Sequence, residues 1–457
     1  MTDRAHTGAA SEVLGDRVMR KVSRRLIPFI AVLFFINYVD RSNLAFAKLQ
    51  MSADLGLSSA AYGLAAGLFF IGYFIFEIPS NLALHKFGAR RWIARIMVTW
   101  GIVAVAMAFV NSEATLYAAR ILLGIAEAGF YPGVIMYLAF WFPREQRAKA
   151  IGLFAVAVPV SSAISAPVST AIMQYTHNFL GFAGWRIMFL AEGLPAVILG
   201  IVCWFYLTDR PAEAKWLSTE ERDWLTARME RDTKETEAGA PWSIRRVLTS
   251  PLILGLAMVE FGVGYGIYAL SFFLPSIVAG FSDAFGTTFN LFQTGLITAV
   301  PFAFGALAMV YWTRHSDRKR ERVWHVAAPV FLATVTVPVA LYLGSPMGVL
   351  VVISLTSIGV FAAYPVFWSI PGEFLTGVGA AAGIALINSL ANLSGFAAPY
   401  ITGWLADGTG STNSGLWVAS AVLLVAGLTM VGLRYFGILD KHGSTATSEA
   451  RVVAEPT

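Results

Sequence analysis

The sequence predicts an all-α membrane protein in which twelve transmembrane helices form two six-helix bundles, with both termini in the cytoplasm. Three observations predict it: the composition, the number of apolar stretches and the distribution of basic residues. The 457 residues are 57% hydrophobic and only 13% charged, with a mean hydropathy of +0.65. A soluble domain carries about 25% charged residues, so half that share cannot cover a soluble body of this size. Disordered chains are poor in apolar residues, which excludes disorder. The single cysteine, Cys203, excludes an internal disulfide.

A helix that crosses the bilayer core needs about 20 mainly apolar residues. Twelve stretches qualify: 26–47, 61–84, 92–111, 114–142, 149–173, 185–207, 251–279, 290–313, 323–343, 347–371, 378–403 and 415–436. The fourth and seventh are long enough to tilt or to project beyond the membrane. Lys and Arg gather in alternate gaps. Arg4, Arg17, Arg20, Lys21, Arg24 and Arg25 precede the first stretch. Lys86, Arg90 and Arg91 fall in the second gap, and Arg144, Arg147 and Lys149 in the fourth. Eight Lys or Arg lie from Arg210 to Arg246, five from Arg314 to Arg322, and Lys441 and Arg451 are in the tail. Lys48 is the one basic residue of the first gap, and the intervening gaps are bare. This is the positive-inside pattern, so the net charge of +5 reads as a topology signal and no nucleic-acid partner is expected.

The long connection divides the chain six plus six. The expected organisation is a cytoplasmic leader 1–25, a bundle 26–207, a cytoplasmic linker 208–250, a bundle 251–436 and a tail 437–457. The polar leader lies far from an apolar core and does not read as a cleavable signal peptide. Within the linker, Ser218-Thr219-Glu220-Glu221 is a capping box, and a charged helix is expected to follow through about Arg231. The tail reads as disordered. The halves echo each other, with basic short gaps at 85–91 and 316–322 between the second and third spans of each half. Repeated six-helix halves carry a transport site near mid-membrane between them.

Ionisable residues in mid-span are costly, about 3 kcal/mol each on insertion scales, and mark function. They are Asp40 and Arg41 in span one, Glu77 in two, Arg120 and Glu127 in four, Glu192 in six and Glu260 in seven, with Glu373 at the end of ten. Arg120 and Glu127 are two turns apart on one helical face, about 10 Å along the axis. Asp40 and Arg41 point about 100° apart. Asp40, Arg41, Arg120 and Glu127 sum to zero when ionised. An added organic anion makes such a site net negative, and one proton restores neutrality, so proton and anion binding are expected to favour each other. Tyr38, Asn37, Tyr73, Tyr265, Tyr268, Asn388 and Asn392 are expected to hydrogen-bond substrate or to join helices.

No GxxxxGK[ST], HExxH, CxxC or GxSxG occurs, so an ATP-driven pump, a metal centre and a hydrolase are not expected, nor is any cofactor. The six histidines fall in the leader, tail, gaps or helix ends and are expected at the surface.

The residues that carry a resemblance begin with Asn37-Tyr38-Val39-Asp40-Arg41-Ser42-Asn43 and Phe76-Glu77-Ile78-Pro79-Ser80-Asn81, the latter running into Gly88-Ala89-Arg90-Arg91-Trp92. Arg120 to Gly124, Glu127-Ala128-Gly129-Phe130-Tyr131-Pro132-Gly133 and Trp141-Phe142-Pro143 follow. Gly184-Trp185-Arg186, Glu192-Gly193-Leu194-Pro195, Asp209-Arg210-Pro211 and Lys215 to Ser218 continue it, and Ala380 to Asn388 with Pro399 add a second-half match. Over 18–436 the chain resembles the anion:cation symporter family of the major facilitator superfamily.

The resemblance implies the major facilitator fold and alternating access. It implies proton-coupled symport of a small organic carboxylate: a hydroxy, sugar or aromatic acid such as tartrate, galactonate or phthalate. It makes Arg41 the carboxylate-binding residue, with Tyr38, Tyr73, Tyr265, Asn388 and Asn392 in the substrate cavity. Asp40 and Glu127 become the protonation sites, and Arg120 the partner that senses Glu127. Glu77, Arg90, Asp317 and Arg318 fall to a gate. His85 and Asn81 depart from the superfamily's usual acidic residue and glycine in the 2–3 loop, which shifts that gate toward Glu77 or other contacts. Segments 46–51 and 81–87 are most similar to tartrate and aromatic-acid carriers. The partners implied are the acid, protons and the bilayer of the cell membrane, with a monomer expected. An exchanger or facilitator of the same fold is the alternative, and a non-transporting acid receptor a remote one.

Overall fold

The structure is a computed structural model that describes residues 2–237, 249–374 and 377–438. Side chains within 2–12, 144–145, 147–155, 233–237 and 372–382 lie outside that description, and with them Glu373. The tail 439–457, read from sequence as disordered, lies outside it too.

Among the described residues, twelve helical spans are long and apolar enough to cross a membrane. The helices are α1 Thr2–Leu55, α2 Ser59–Phe87, α3 Ala89–Ala106, α4 Glu113–Glu127, α5 Phe130–Ala139, α6 Arg144–Tyr175 and α7 Gly184–Tyr206. After the linker helix α8 Thr219–Glu237 come α9 Pro251–Ala279, the short α10 Phe281–Phe285, α11 Leu291–Lys319, α12 Val323–Val339, α13 Pro346–Phe374, α14 Gly377–Thr409 and α15 Asn413–Tyr435. Side-chain caps set several starts. Ser58 accepts from the Ala61 amide at 3.1 Å at the head of α2, and Asn290 and Gln293 form a capping box at the head of α11.

Two expectations about helix extent change. The first helix is continuous well beyond 26–47 at both ends. Span four is two helices, because Ala128 leaves the helical region and Gly129 is left-handed at φ 84°. A Cβ on Gly129 would overlap the Ser80 hydroxyl, so the position tolerates neither side chain nor straight helix. Pro132 sits in the first turn of α5, where a missing N–H costs nothing.

The halves meet where α2 packs along α14 and α6 along α11. The approach is backbone on backbone. A Cβ on Gly63 would overlap the Pro399 carbonyl, one on Gly403 the Ser59 carbonyl, and one on Gly295 the Ala166 carbonyl. Small residues permit this closeness in membranes. At the end away from the linker, Asp407 of α14 caps α2 across the seam, accepting from the Ser59 and Ala60 amides at 2.9 and 3.0 Å. Removing an N-cap costs about 1 kcal/mol, about five-fold in an equilibrium. Asp407→Ala is therefore expected to open this end about five-fold more often. The check is the alkylation rate of Ala61→Cys in a Cys203→Ser background; an unchanged rate removes the latch role.

The linker root is ordered against α1. Ser218 and Glu221 form the expected capping box, and the helix runs on to Glu237. Lys21 reaches Glu221 at 2.8 Å, and with the Ser218 amide holds that carboxyl below the usual carboxylate range. A Cβ on Gly15 would overlap the Trp224 ring, and Trp216 stacks on Trp141 at 5.5 Å. The histidines differ from expectation. His85 and His177 are exposed, but His325 is buried, 2.8 Å from the His315 ring and 2.7 Å from Glu321. The start of α12 packs on the end of α11, where Trp312 donates to the His325 carbonyl at 2.8 Å. A position near a helix end does not by itself set exposure. His6 and His442 fall outside the described side chains.

Candidate functional site

α1 and α4 bring the charged residues to the middle of the first bundle. Arg41 and Glu127 form a pair: Nε and Nη2 of Arg41 each lie 2.6 Å from Glu127 Oε1. Glu127 is fully buried, and its Oε2 has no protein partner. The Arg41 guanidinium is ringed by Tyr73 at 5.2 Å, Phe69 at 5.3 Å and Tyr38 at 5.6 Å, aromatic faces that favour a cation. Glu127 is the last residue of α4, so the break at Ala128 and Gly129 sets its carboxyl at a helix end rather than along a continuous rod.

Asp40 points the other way, as the 100° between neighbours requires. Its Oδ2 accepts from Trp100 Nε1 at 2.6 Å and its Oδ1 from Asn43 Nδ2 at 3.0 Å. Arg120 turns onto α2 and donates to the carbonyls of Ala65 at 3.1 Å and Ala66 at 3.4 Å. Glu127 is thus paired with Arg41, while the hydrogen bonds of Arg120 go to main-chain carbonyls of α2. Of the four charges, Arg41 and Arg120 line one cavity and Glu127 joins through its pair with Arg41, while Asp40 is held by Trp100 and Asn43.

Two small cavities lie between the halves. One of about 30 Å³ is lined by Arg41, Arg120, Phe69 and Tyr38 from the first half and Tyr268 from the second. The other, of about 50 Å³, is lined by Tyr38, Glu260, Tyr268, Tyr364, Asn388 and Asn392. A single water needs about 10–15 Å³ measured this way. These spaces have room for a few waters, and a carboxylic acid enters only if the halves shift.

The second half contributes residues that the sequence reading placed less well. Tyr265 is buried beside Ala398 and Ala419 in a separate apolar cluster, away from both cavities. Tyr268 takes the expected place. The cavity face of α9 runs Glu260, Gly264, Ile267, Tyr268, Ser271, a helical stripe, and Tyr265 stands one residue off it. Glu260, buried and bonded to Trp368 Nε1 at 3.1 Å, was given no role from sequence. The i, i+4, i+8 relation of Glu260, Gly264 and Tyr268 was the signal available.

The residues expected at a gate are not gathered in one place. Glu77 accepts from Asn388 Nδ2 at 3.0 Å, a bond between the halves. Arg90 is held within its own half, its amide 2.8 Å and its Nε 3.6 Å from Asp209. Asp317 pairs with Arg322 at 2.7 Å, and Arg318 is exposed. Glu192, also without an assigned role, is buried and accepts from Ser169 at 2.6 Å. Among the described residues, no group of three His, Cys, Asp or Glu could hold a metal ion.

Comparison with known proteins gives a consistent result. A family model described as Major Facilitator Superfamily matches residues 30–385. A protein of Agrobacterium vitis, provisionally named a tartrate transporter, is 47% identical over 420 residues, covering 92% of this chain and 95% of that one. A quinolone resistance transporter of Acinetobacter baumannii is 38% identical over 407 residues, covering 89% and 92%. The fold is similar to that of a bacterial homolog of the human lysosomal transporter Spinster, solved inward-facing, with a TM-score of 0.70 at 15% identity, covering 94% and 98%.

Proposed function

The chain belongs to the Major Facilitator Superfamily and is a multi-pass membrane transporter, and from that premise we propose that it couples inward movement of protons to uptake of a small organic carboxylate. The preferred substrates are hydroxy-dicarboxylates of the tartrate type. The cell membrane is the proposed location, with the linker and both termini on the cytoplasmic side.

One observation carries this reading: Arg41, at the wall of the cavity between the halves, rests its fork on a single oxygen of a fully buried carboxylate. While Glu127 is ionised it satisfies Arg41 and leaves little positive charge for a substrate. A proton on Glu127 neutralises that carboxyl and frees the guanidinium for the substrate's own carboxylate, a charge-assisted contact of the kind Arg makes best. Proton and anion therefore enter together. Asp40, about 100° round the helix from Arg41, is the proposed second proton site. Its hydrogen bonds to Trp100 and Asn43 tie it to the helix packing. Tyr38, Tyr73, Asn388 and Asn392 complete the proposed lining, and Tyr268 joins them in place of Tyr265. Glu77 and Asn388 make the proposed inner contact that parts when the halves rock. Arg90, Asp317 and Arg318 brace their own halves.

The relative named for tartrate supports the substrate class. The test is uptake of tartrate by proteoliposomes of the purified protein. An inward-acid gradient is expected to drive accumulation above equilibrium. Uptake indifferent to that gradient, with counterflow intact, would make the protein an exchanger or facilitator instead. Tartrate binding with neither uptake nor counterflow would leave a receptor.

A further inference from the structure

A third cavity, open to the surface and of about 620 Å³, lies outside the transport path, where α1 emerges beside the root of the linker. Arg17, Arg20, Lys21, Arg24 and Arg25 line it. Their spacing of three, one, three and one places them on one stripe of α1. Tyr206, from the end of α7, and Trp216, from the linker, form the opposite wall. Arg25 lies 4.5 Å from the Tyr206 ring and 5.1 Å from that of Trp216, and its Nε is buried without an acceptor. Lys21 is paired with Glu221. Among the described residues, none of the four arginines makes an ion pair.

A topology signal requires basic residues near the start of a span. It does not require them on one stripe, facing Tyr206 and Trp216 across an open cavity, with a buried donor left over. The depth of the site matters as well. The apolar run of α1 begins at Leu26, directly after Arg25. From Arg25 back to Arg17 the helix rises about 12 Å. The polar layer of a bilayer is about 5–7 Å deep on each face. Lys21, Arg24 and Arg25 therefore stand at headgroup level, with Arg20 about 8 Å from Arg25 at the outer edge of that layer, and Tyr and Trp are the residues that favour this level. Guanidinium groups grip phosphate oxygens in pairs, and basic pockets between helices at this face suit anionic headgroups.

We propose that this cavity binds the phosphate of an anionic phospholipid, held by the arginine stripe and seated against Tyr206 and Trp216. The bound headgroup joins α1, α7 and the linker root at one point, and so stiffens the place from which the linker leaves the first half. The proposal is independent of the substrate and of proton coupling.

The experiment uses the full-length protein in neutral detergent. Tetraoleoyl cardiolipin, dioleoyl phosphatidylglycerol, dioleoyl phosphatidylcholine or sodium phosphate is titrated, and the shift in thermal unfolding midpoint gives each apparent Kd. The anionic lipids are expected to stabilise wild type saturably, and phosphatidylcholine is not. Each basic residue near the surface contributes about 1 kcal/mol, so Arg20→Gln with Arg24→Gln is expected to weaken anionic-lipid binding about 30-fold. Trp216→Ala keeps every charge, and with it the topology signal, and is expected to weaken binding several-fold. Saturation by millimolar sodium phosphate that also displaces the lipids would uphold the phosphate site and make free phosphate its source. Equal lipid affinity in wild type and both variants overturns the proposal.

Discussion

Arg41→Ala is expected to abolish binding of tartrate, with affinity falling at least 100-fold. The guanidinium lies at the wall of the central cavity among the rings of Tyr73, Phe69 and Tyr38. Arg120 lines the same space, but its donors are committed to the carbonyls of Ala65 and Ala66. Removing one partner of a buried ion pair costs about 3–5 kcal/mol, because the other charge is stranded. Part of that loss will therefore appear as lower stability of Arg41→Ala itself, with Glu127 left buried and ionised. Arg41→Lys separates the two effects. It keeps the charge and most of the stability but loses the planar fork, and an affinity loss of about ten-fold is expected from it. The measurement is a thermal shift against tartrate after monodispersity of each variant is confirmed. Wild-type affinity in folded Arg41→Ala would remove this residue from the binding site.

Glu127→Gln is expected to separate binding from proton coupling. Glutamine fills the same space and carries no charge, so Arg41 is free of its internal competitor at every pH. In the wild type, tartrate affinity is expected to fall as pH rises, because deprotonation of the site returns Arg41 to Glu127. In Glu127→Gln that dependence is expected to flatten. Proton-driven accumulation is expected to fall more than ten-fold while counterflow persists. Asp40→Asn makes a similar test at the second position. An asparagine there can still accept from Trp100, and its amide can donate to Asn43 if the Asn43 side chain turns over. Geometry is thus retained while the titrating group is lost. Accumulation equal to wild type in both neutral variants would show that neither carboxylate carries the coupled proton.

The membrane fold was legible because bilayer physics writes it twice, once in the apolar runs and once in the alternation of Lys and Arg. The site was legible as an inventory, since charge in mid-span is rare enough to count. Its wiring was not. Periodicity relates residues on one helix, so it put Arg120 and Glu127 on a common face. It says nothing of which helix each face meets, and Glu127 meets Arg41 across 86 positions of chain. The same limit placed Tyr265 in the cavity, although its neighbour on the Glu260 stripe is Tyr268. The break in span four had a signal in Gly129 and Pro132. Both residues are common in membrane helices that stay continuous, as Pro159 and Pro167 show within α6. His325 was placed at the surface because burial at the junction of α11 and α12 arises from tertiary packing, which a helix-end position does not record.

The main seam between the halves is formed by main-chain atoms at Gly63, Gly403 and Gly295, while the lining of the chamber is formed by side chains on other faces of the helices. The moving joint and the recognition surface therefore make almost separate demands on the gene. Substitutions at chamber residues away from the seam leave these glycine contacts untouched, so cargo can diversify there without rebuilding the joint, whereas Asn388, which lines the chamber and bonds Glu77 across the halves, belongs to both.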